Sequence, residues 1–470
     1  MEVAGTTEIE PSQAEVPQAC DLIIRNGVLL TLDPDDRVIE GGALAVVDGR
    51  IVAIGDDQCL ADRYQASEIL NAHGSIVHPG FIDAHAHVNQ YSSRSALPAL
   101  AQSDLTMGHW KAALRPEDER ASTALAAIDY LNSGYTAFVD PGTVVEPEAA
   151  AEAAREAGIR AWLTDPYVGD RPVTLRQFLP SLVSDAFLSL WPRDLDAALE
   201  RMGGQLFRNA EPDALVKGFI GIYGEGTDSP ALFRHALALA RQEGVQFQQH
   251  LGYLPKLHRA REEEAGRSLI RHLDALAGLD HHVTFVHMNV VHKEDVAFLA
   301  ARDVRVVWCP YGQIAMHCDD QVEGRMGQLF RAGLSVAIAS DIARVSGFSG
   351  LGSLALLAGR VSGDPVTAAE ILRMRTSGAA ASIGAESDLG SLEVGKRADI
   401  VIRRAEAGEL LGIHRPHEVG LLAEPSSVET VLVGGAVVFR GGCATKLDTA
   451  RVVSEVRTSV KAVAGRIGLS

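Results

Sequence analysis

Two histidines one residue apart, His85 and His87, close the run Val77-His78-Pro79-Gly80-Phe81-Ile82-Asp83-Ala84-His85-Ala86-His87. The run reads as a short apolar strand ending in His-x-His. Side chains alternate faces along a strand, so the two imidazoles point the same way and can share one metal ion. Neutral imidazole suits zinc, iron, nickel or cobalt and does not choose among them. Later strand-like runs end in residues of the same kind. His250 follows residues 245–249, His287 follows 283–286, and Asp341 follows 334–340. A lone histidine is usually a core or surface residue, but such residues at one strand end after another are not expected by chance. Three neutral histidines, His85, His87 and His250, together with the Asp341 carboxylate give a divalent ion a site with room for water. Bound metal lowers the pKa of water from about 15.7 to about 7. Asp341 can then accept the proton and pass it to a leaving group, and His287 can hydrogen-bond the water or polarise a substrate carbonyl. The chemistry predicted is metal-assisted hydrolysis.

These side chains need a frame that gathers strand ends. After His87 the pattern alternates strand and helix. Strand candidates are residues 136–140, 160–164, 216–223, 245–250, 283–287, 304–308 and 334–341, and helical runs cover 146–157 and 230–242. With the run before His85 they make about eight strands separated by helices. That predicts an α/β chain folded as a (β/α)8 TIM barrel, with active residues at the C-terminal strand ends. Both flanks read differently. Residues 21–30 and 43–54 are β-type runs with turn signals at Asn26-Gly27 and Asp48-Gly49, and β-type runs return at 390–402 and 428–435.

The chain has 470 residues, 47% hydrophobic and 22% charged, which is ample for a core and too long for one small domain. A formal net charge of -18 argues against nucleic acid or an anionic membrane surface as partner. The five cysteines (Cys20, Cys59, Cys309, Cys318, Cys443) are widely spaced and form no CxxC pair, so neither a disulfide framework nor a cysteine zinc site is indicated. The polar, acidic start lacks the features of a signal peptide, and no apolar run approaches a membrane span. A cytoplasmic homo-oligomer acting on a small molecule is expected. His281-His282 read as surface residues, His73 and His78 as flanking the first strand away from its catalytic end, and residues 259–267 as a solvated helix face. His109-Trp110 lie where a lid could form or where packing is needed.

The string Pro79-Gly80-Phe81-Ile82-Asp83-x-His85-x-His87, with Val286-His287-Met288-Asn289 and Trp308-Cys309-Pro310, resembles the metal-dependent amidohydrolase superfamily. The likeness covers nearly the whole chain past Asp21. In pattern it is nearest to the branch of cytosine deaminase, adenosylhomocysteine-type deaminases and triazine chlorohydrolases. The resemblance implies that His85 and His87 are metal ligands. It implies that His287 serves water or substrate in one-metal members and is a ligand in two-metal members. Two-metal members usually carry a carboxylated lysine at the end of strand four. Here Lys217 lies near that strand's start, and its end carries Tyr223 and Glu225. One divalent metal is therefore expected, zinc first, with iron, cobalt or manganese as alternatives, and no second metal. Glu225 is a candidate bridging ligand or proton carrier. The resemblance also implies a small composite β-sandwich domain from both chain ends, residues 21–76 and 386–447, around a barrel at 77–385. Residues 1–20 are expected to be a disordered tail and 448–470 a helical one.

Three departures shape the expected substrate. The deaminases carry His-x-x-Glu after strand five, where the Glu shuttles protons; this chain has His250-Leu251-Gly252-Tyr253. The motif Pro-x-Ser-Asn is here Pro310-Tyr311-Gly312-Gln313, and Tyr223 stands where many members have a substrate-binding histidine. Tyrosine, with a reference pKa of about 10, is a poor shuttle at neutral pH. The favoured substrate is therefore an amide, urea, carbamate or thiocarbamate-like compound, xenobiotics included. Its non-peptide C–N bond breaks without ring protonation, and His287, Tyr253, Tyr223 and Glu225 contact it. The alternative is deamination or dechlorination of a pyrimidine, purine or triazine ring, with another acid, first of all Glu225, in place of the missing one. A non-catalytic barrel used for assembly is the rival from a different class, and the intact ligand set argues against it.

Overall fold

A single residue, Gly80, separates the two kinds of sheet in this chain. The computed structural model describes residues 17–469 apart from Ser181, Asp320, residues 343–346 and 413–414, and Ala423. Its first strands are β1 (Gln18–Leu30), β2 (Val38–Val47), β3 (Arg50–Asp56), β4 (Tyr64–Asn71) and β5 (Ile76–Pro79). Parallel-paired strands follow: β6 (Phe81–Asp83), β7 (Tyr135–Asp140), β8 (Arg160–Leu163), β9 (Val216–Gly218), β10 (Ile220–Gly224), β11 (Phe247–Leu251), β12 (Val283–His287), β13 (Arg305–Trp308) and β14 (Val336–Ile338). The last strands are β15 (Ile400–Arg403), β16 (Val428–Val433), β17 (Ala436–Arg440) and β18 (Cys443–Ala444).

The chain ends share one nine-stranded sheet, in the order β18-β17-β16-β15-β5-β1-β2-β3, with β4 on β1. Asp48 and Gly49 join β2 to β3 at φ 49° and 72°, the left-handed pair a two-residue hairpin turn needs. Asn26-Gly27 does not turn the chain as predicted. Asn26 takes φ 53°, the β1–β2 register shifts between Ile24 and Gly27, and the strand continues. This bulge lets β1 change neighbours, pairing with β4 through Arg25 and with β5 from Val28. The expected tail overruns its bounds, because residues 18–20 already belong to β1; residues 1–16 lie outside the described residues.

The run before His85 is two strands rather than one. β5 pairs with β1 and β15, whereas β6 pairs with β7. Residues 77–79, expected in the barrel, thus lie in the sheet built from the chain ends. Gly80 fits because a Cβ there would stand 2.1 Å from Thr136 Oγ1, a distance no side chain tolerates. His78, on β5, is buried and accepts a hydrogen bond from Arg403 Nε at 2.9 Å.

β6 to β9 form one parallel sheet and β10 to β14 another. The strand predicted over 216–223 is interrupted at Phe219, whose N–H donates to Leu163 O at 3.2 Å while Ile220 N–H donates to Gln246 O at 3.0 Å. The sheets therefore meet at Phe219. They meet again at the opposite edges, where a parallel bridge joins Ala86 to Asp341. Apart from the half-buried Lys217 on β9, the strands are buried along their whole length and rich in Val, Ile and Phe, as parallel sheets covered on both faces must be. Helix Pro230–Glu243 covers β11 with Phe233 against Phe247.

Two long connections carry structure that periodicity did not reveal. Between β8 and β9, short helices at Leu175–Phe178 and Asp185–Leu188 bury Phe187 and Trp191 against Tyr167 and Tyr223. Between β6 and β7 lie the short helix Met107–Ala112 and the long helix Pro116–Asn132. The C-terminal helix Thr449–Arg466 is a packed element rather than a loose tail. Its Ser459 Oγ and Arg466 Nη1 both donate to Asp118 at 2.6 Å, and its Val463 is buried with Met107 and Trp110. Trp110 therefore serves packing. No helix among the described residues is long and apolar enough to cross a membrane.

Candidate metal centre and substrate cavity

Every predicted metal-type residue arrives at one place. Donor atoms of His85, His250 and His287 lie within 4.8 Å of one another, and so do those of His85, His87 and Asp341. The strands explain the convergence. His250 and His287 stand at the C-terminal ends of β11 and β12, and His85 and His87 follow β6. Asp341 follows β14, and its N–H donates to His85 O while His87 N–H donates to Asp341 O, both at 2.9 Å. His287, Met288 and Asp341 take φ of 77°, 50° and 56°. Non-glycine residues seldom adopt that region, and they persist there when the surrounding structure over-determines them, as at functional sites.

The tautomers follow from the partners. His250 Nδ1 lies 2.6 Å from Tyr223 O, which can only accept. His85 Nδ1 lies 2.9 Å from Gln248 Oε1, and Gln248 is oriented by its own amide donating to Ala84 O at 3.1 Å. Both Nδ1 atoms thus carry the proton, and both Nε2 atoms carry lone pairs. Burial pushes the pKa of all three of His85, His250 and His287 down, so these rings are neutral. Yet His85 Nε2 and His250 Nε2 face each other at 3.1 Å. Two lone pairs so placed repel unless a cation lies between them. Two nitrogens on a tetrahedral zinc at 2.0–2.1 Å would stand roughly 3.3 Å apart, so the spacing fits. His87 Nε2 lies 2.9 Å from Asp341 Oδ1 and completes the cluster.

A cavity of about 270 Å³ opens onto this cluster. His87, His250, His287 and Asp341 line it, as do Tyr223, Glu225 and Tyr253, which with His287 are the four residues predicted to contact substrate. Tyr253 packs against His287 with ring centroids 4.6 Å apart, and Tyr223 against His250 at 4.7 Å. Met107, Leu179, Leu182 and Ile342 make the remaining wall largely apolar. Glu225 is buried, takes φ 50° and accepts from Tyr253 N–H at 2.6 Å. Burial pushes its carboxyl up to about 7.

Gly312 borders the same space. A Cβ there would lie 3.5 Å from the Tyr253 ring, 3.6 Å from Asp341 Oδ2 and 3.7 Å from His287 Nδ1. His287 Nδ1 is buried and has no hydrogen-bond partner among the described residues. Gln313, by contrast, is structural: it bridges Trp308 Nε1 and Ser362 Oγ. Three contributors escaped the sequence analysis. Gln248 sits two residues before His250, on the same strand face, and that spacing was the available signal. Asp83 accepts from Tyr130 Oη at 2.8 Å and Ser340 N–H at 3.0 Å, bracing the start of the His-x-His turn; burial pushes it up to about 6. The third, Lys111, gave no signal. His281-His282 lie near Asp280 away from the cavity. Residues 259–267 are not wholly solvated, since Glu262 holds His292 Nε2 at 2.9 Å.

A model of the Amidohydrolase family matches residues 76–438. Among similar proteins, the 5-methylthioadenosine/S-adenosylhomocysteine deaminase of Syntrophobacter fumaroxidans is 27% identical over 456 residues, 93% of this chain and 97% of its own. The 5'-deoxyadenosine deaminase of Methanosarcina acetivorans is 24% identical over 458 residues, 95% of this chain and 99% of its own. An adenosine deaminase from Xanthomonas campestris, solved with bound zinc, superposes with a TM-score of 0.80 at 22% identity, over 96% of this chain and 100% of that one. Atrazine chlorohydrolase from Arthrobacter aurescens, complexed with zinc, gives 0.79 at 24%, over 93% and 100%. The structural likenesses show a shared fold.

Proposed function

The chain belongs to the amidohydrolase family and is a hydrolase, and on that premise we propose that it uses one divalent metal, zinc first, to hydrolyse a carbon–nitrogen or carbon–halogen bond on a small heteroaromatic ring. We read its two parallel sheets as one (β/α)8 barrel and its end-built sheet as a composite domain. His85, His87, His250 and Asp341 would hold the ion, a reading that the opposed Nε2 atoms of His85 and His250 support. A metal bound there supplies a water with pKa lowered to about 7. Asp341 takes the proton of the attacking water and delivers it to the departing group. His287, neutral and packed against Tyr253, orients the reacting carbon. Attack on a ring carbon also needs an acid at the neighbouring ring nitrogen.

The observation that carries the ring reading is Glu225. Tyr253 replaces the deaminases' acid, and this was the reason to expect acyl substrates. Glu225 reaches the same cavity from the next strand, and its carboxylate is hydrogen-bonded to the backbone of Tyr253. The acid absent from one strand end is thus present at its neighbour. The ring-hydrolysing activities named for the similar proteins support the same choice.

An acyl C–N substrate remains the second reading, on one observation. His287 Nδ1, unpartnered beside the space left by Gly312, suits a carbonyl oxygen. A screen of zinc-loaded protein against amino- and chloro-heteroaromatics, ureas, carbamates and amides separates the two by the product released. Ammonia or chloride from a ring is expected. Glu225→Gln should lower ring turnover about 10²- to 10⁴-fold, the usual worth of a positioned acid. Turnover of ureas alone, indifferent to Glu225→Gln, would establish the second reading in its place.

A further inference from the structure

The apolar wall of the cavity contains one cation. Lys111 lines the same space as the metal cluster, on the short helix Met107–Ala112, and is only 2% exposed. Its Nζ stands 5.2 Å from the centroid of the Phe187 ring and 5.9 Å from that of Tyr167. Those rings belong to the aromatic cluster that also holds Trp191 and reaches the cavity through Tyr223. An ammonium so placed is shielded from bulk water and held by ring faces rather than left to wander. No other lysine or arginine lines this cavity among the described residues. The helix is itself fixed from behind, because Trp110, the preceding residue, is buried against Val463 of the C-terminal helix.

We propose that Lys111 determines specificity by donating a charge-assisted hydrogen bond to an acceptor on the substrate, a ring nitrogen or a carbonyl oxygen. The proposal rests on the reading that this cavity hydrolyses a small neutral molecule. A cation fixed in a low-dielectric space rewards acceptors and rejects protonated amines, so one side chain both attracts and excludes. The wall formed by Met107, Leu179, Leu182 and Ile342 offers shape without charge, so the orientation of a flat ring falls to Lys111 together with His287 and Glu225. Hydrolysis itself does not use Lys111, which makes it a residue of binding rather than of bond breaking.

The test uses full-length zinc-loaded protein and two probes that differ by one acceptor: a chloro-bis(alkylamino)-triazine and the matching pyrimidine with CH in place of one ring nitrogen. Lys111→Met should raise KM for the triazine by about 10- to 100-fold and change kcat by less than about 3-fold. KM for the pyrimidine should hold, so the preference between the probes disappears. Calorimetric binding of the hydroxy-triazine product should weaken by the same factor, a readout independent of turnover. Lys111→Gln, which keeps a neutral donor, should recover part of the affinity and serves if the Met variant does not fold. Unchanged KM and product affinity in both variants overturn the proposal. So does loss of kcat and bound zinc at constant KM, which would make Lys111 a brace for the aromatic cover. If wild type hydrolyses only an aryl urea, the ring reading alone falls, and Lys111 stands or falls on the same KM shift with that urea. Failure of wild type to bind or convert any of these probes overturns both.

Discussion

The metal cluster and the cavity wall are built by opposite means. The cluster is fixed by backbone. Its residues sit at strand ends, their N–H and C=O groups are tied across the β6–β14 seam, and His85 and His250 are aimed by Gln248 Oε1 and Tyr223 O. The wall is assembled mostly from connections between strands: Lys111, Leu179 and Leu182, Glu225 just past Tyr223 at the end of β10, and Tyr253, with Gly312 beside Tyr253. The difference assigns labour. Substitutions in the cluster should affect every substrate alike, because they remove the reaction. Substitutions in the wall, the proposed acid Glu225 apart, should re-rank substrates and leave the reaction intact.

The sharpest way to break that division is to empty the cluster. Chelation, or His87→Ala, should abolish turnover of every substrate together with stoichiometric metal, read by elemental analysis and activity. Activity persisting in metal-free protein contradicts the assignment of His85, His87, His250 and Asp341. Asp341→Asn comes next. It keeps shape and metal but cannot take a proton, so kcat should fall about 10²- to 10⁴-fold for all substrates by one factor. Factors that differ between substrates would move Asp341 from the reaction into recognition. A smaller effect belongs to the wall. Gly312→Ala places a methyl 3.5–3.7 Å from Tyr253, Asp341 and His287, ordinary contact distances that narrow the cavity without a clash. KM for the bulkiest substrates should rise by roughly 10-fold, the scale of one methylene in a pocket, with kcat kept. Equal loss across large and small substrates would show that position 312 supports the cluster.

The smallest effect concerns stability. Glu119 accepts from Val145 N–H and Glu146 N–H, both at 2.8 Å, and from Asn89 Nδ2, so it ties helix Pro116–Asn132 to the turn after His87. Burial raises its carboxyl from 4.5 to about 7. The folded chain therefore keeps a proton that the unfolded chain loses first. The stability this group contributes is full below about 4.5 and is lost as pH rises through 7. Thermal unfolding from pH 5 to 8 should show Tm falling with pH. Glu119→Gln should lower Tm at pH 5, since its amide meets donors, and flatten the slope. An unchanged slope would place the linkage on another buried carboxyl, Asp83 first.

The same contrast explains what was legible in the sequence. Strand ends are written locally: an apolar run followed by histidine or aspartate says where the side chain goes once the strands are parallel. Hence His85, His87, His250, His287 and Asp341 were found together. Helix Pro147–Ala157 and its stop at Gly158, at φ 74°, were equally local. Events decided by partners were hidden. The division of one apolar run at Gly80 depends on Thr136, more than fifty positions away. The passage of β1 through Asn26-Gly27 depends on β4 and β5 both waiting for it. Glu225 was visible as a residue, but its place beside Tyr253 follows from the pairing of β10 with β11. Lys111 enters the cavity only because tertiary packing turns its helix inward, and nothing in the surrounding residues announces that.

The joining of distant segments also has a consequence in time. β5 pairs on one side with β1 and on the other with β15, and the helix carrying Lys111 leans through Trp110 on Val463. On a ribosome, the parallel strands and their five metal-type residues emerge before β15 and Val463 do. A growing chain can assemble the reacting cluster while the cover over it still lacks its support. If Lys111 sets selectivity as proposed, truncation near the C-terminus should yield chains that hold metal yet discriminate poorly.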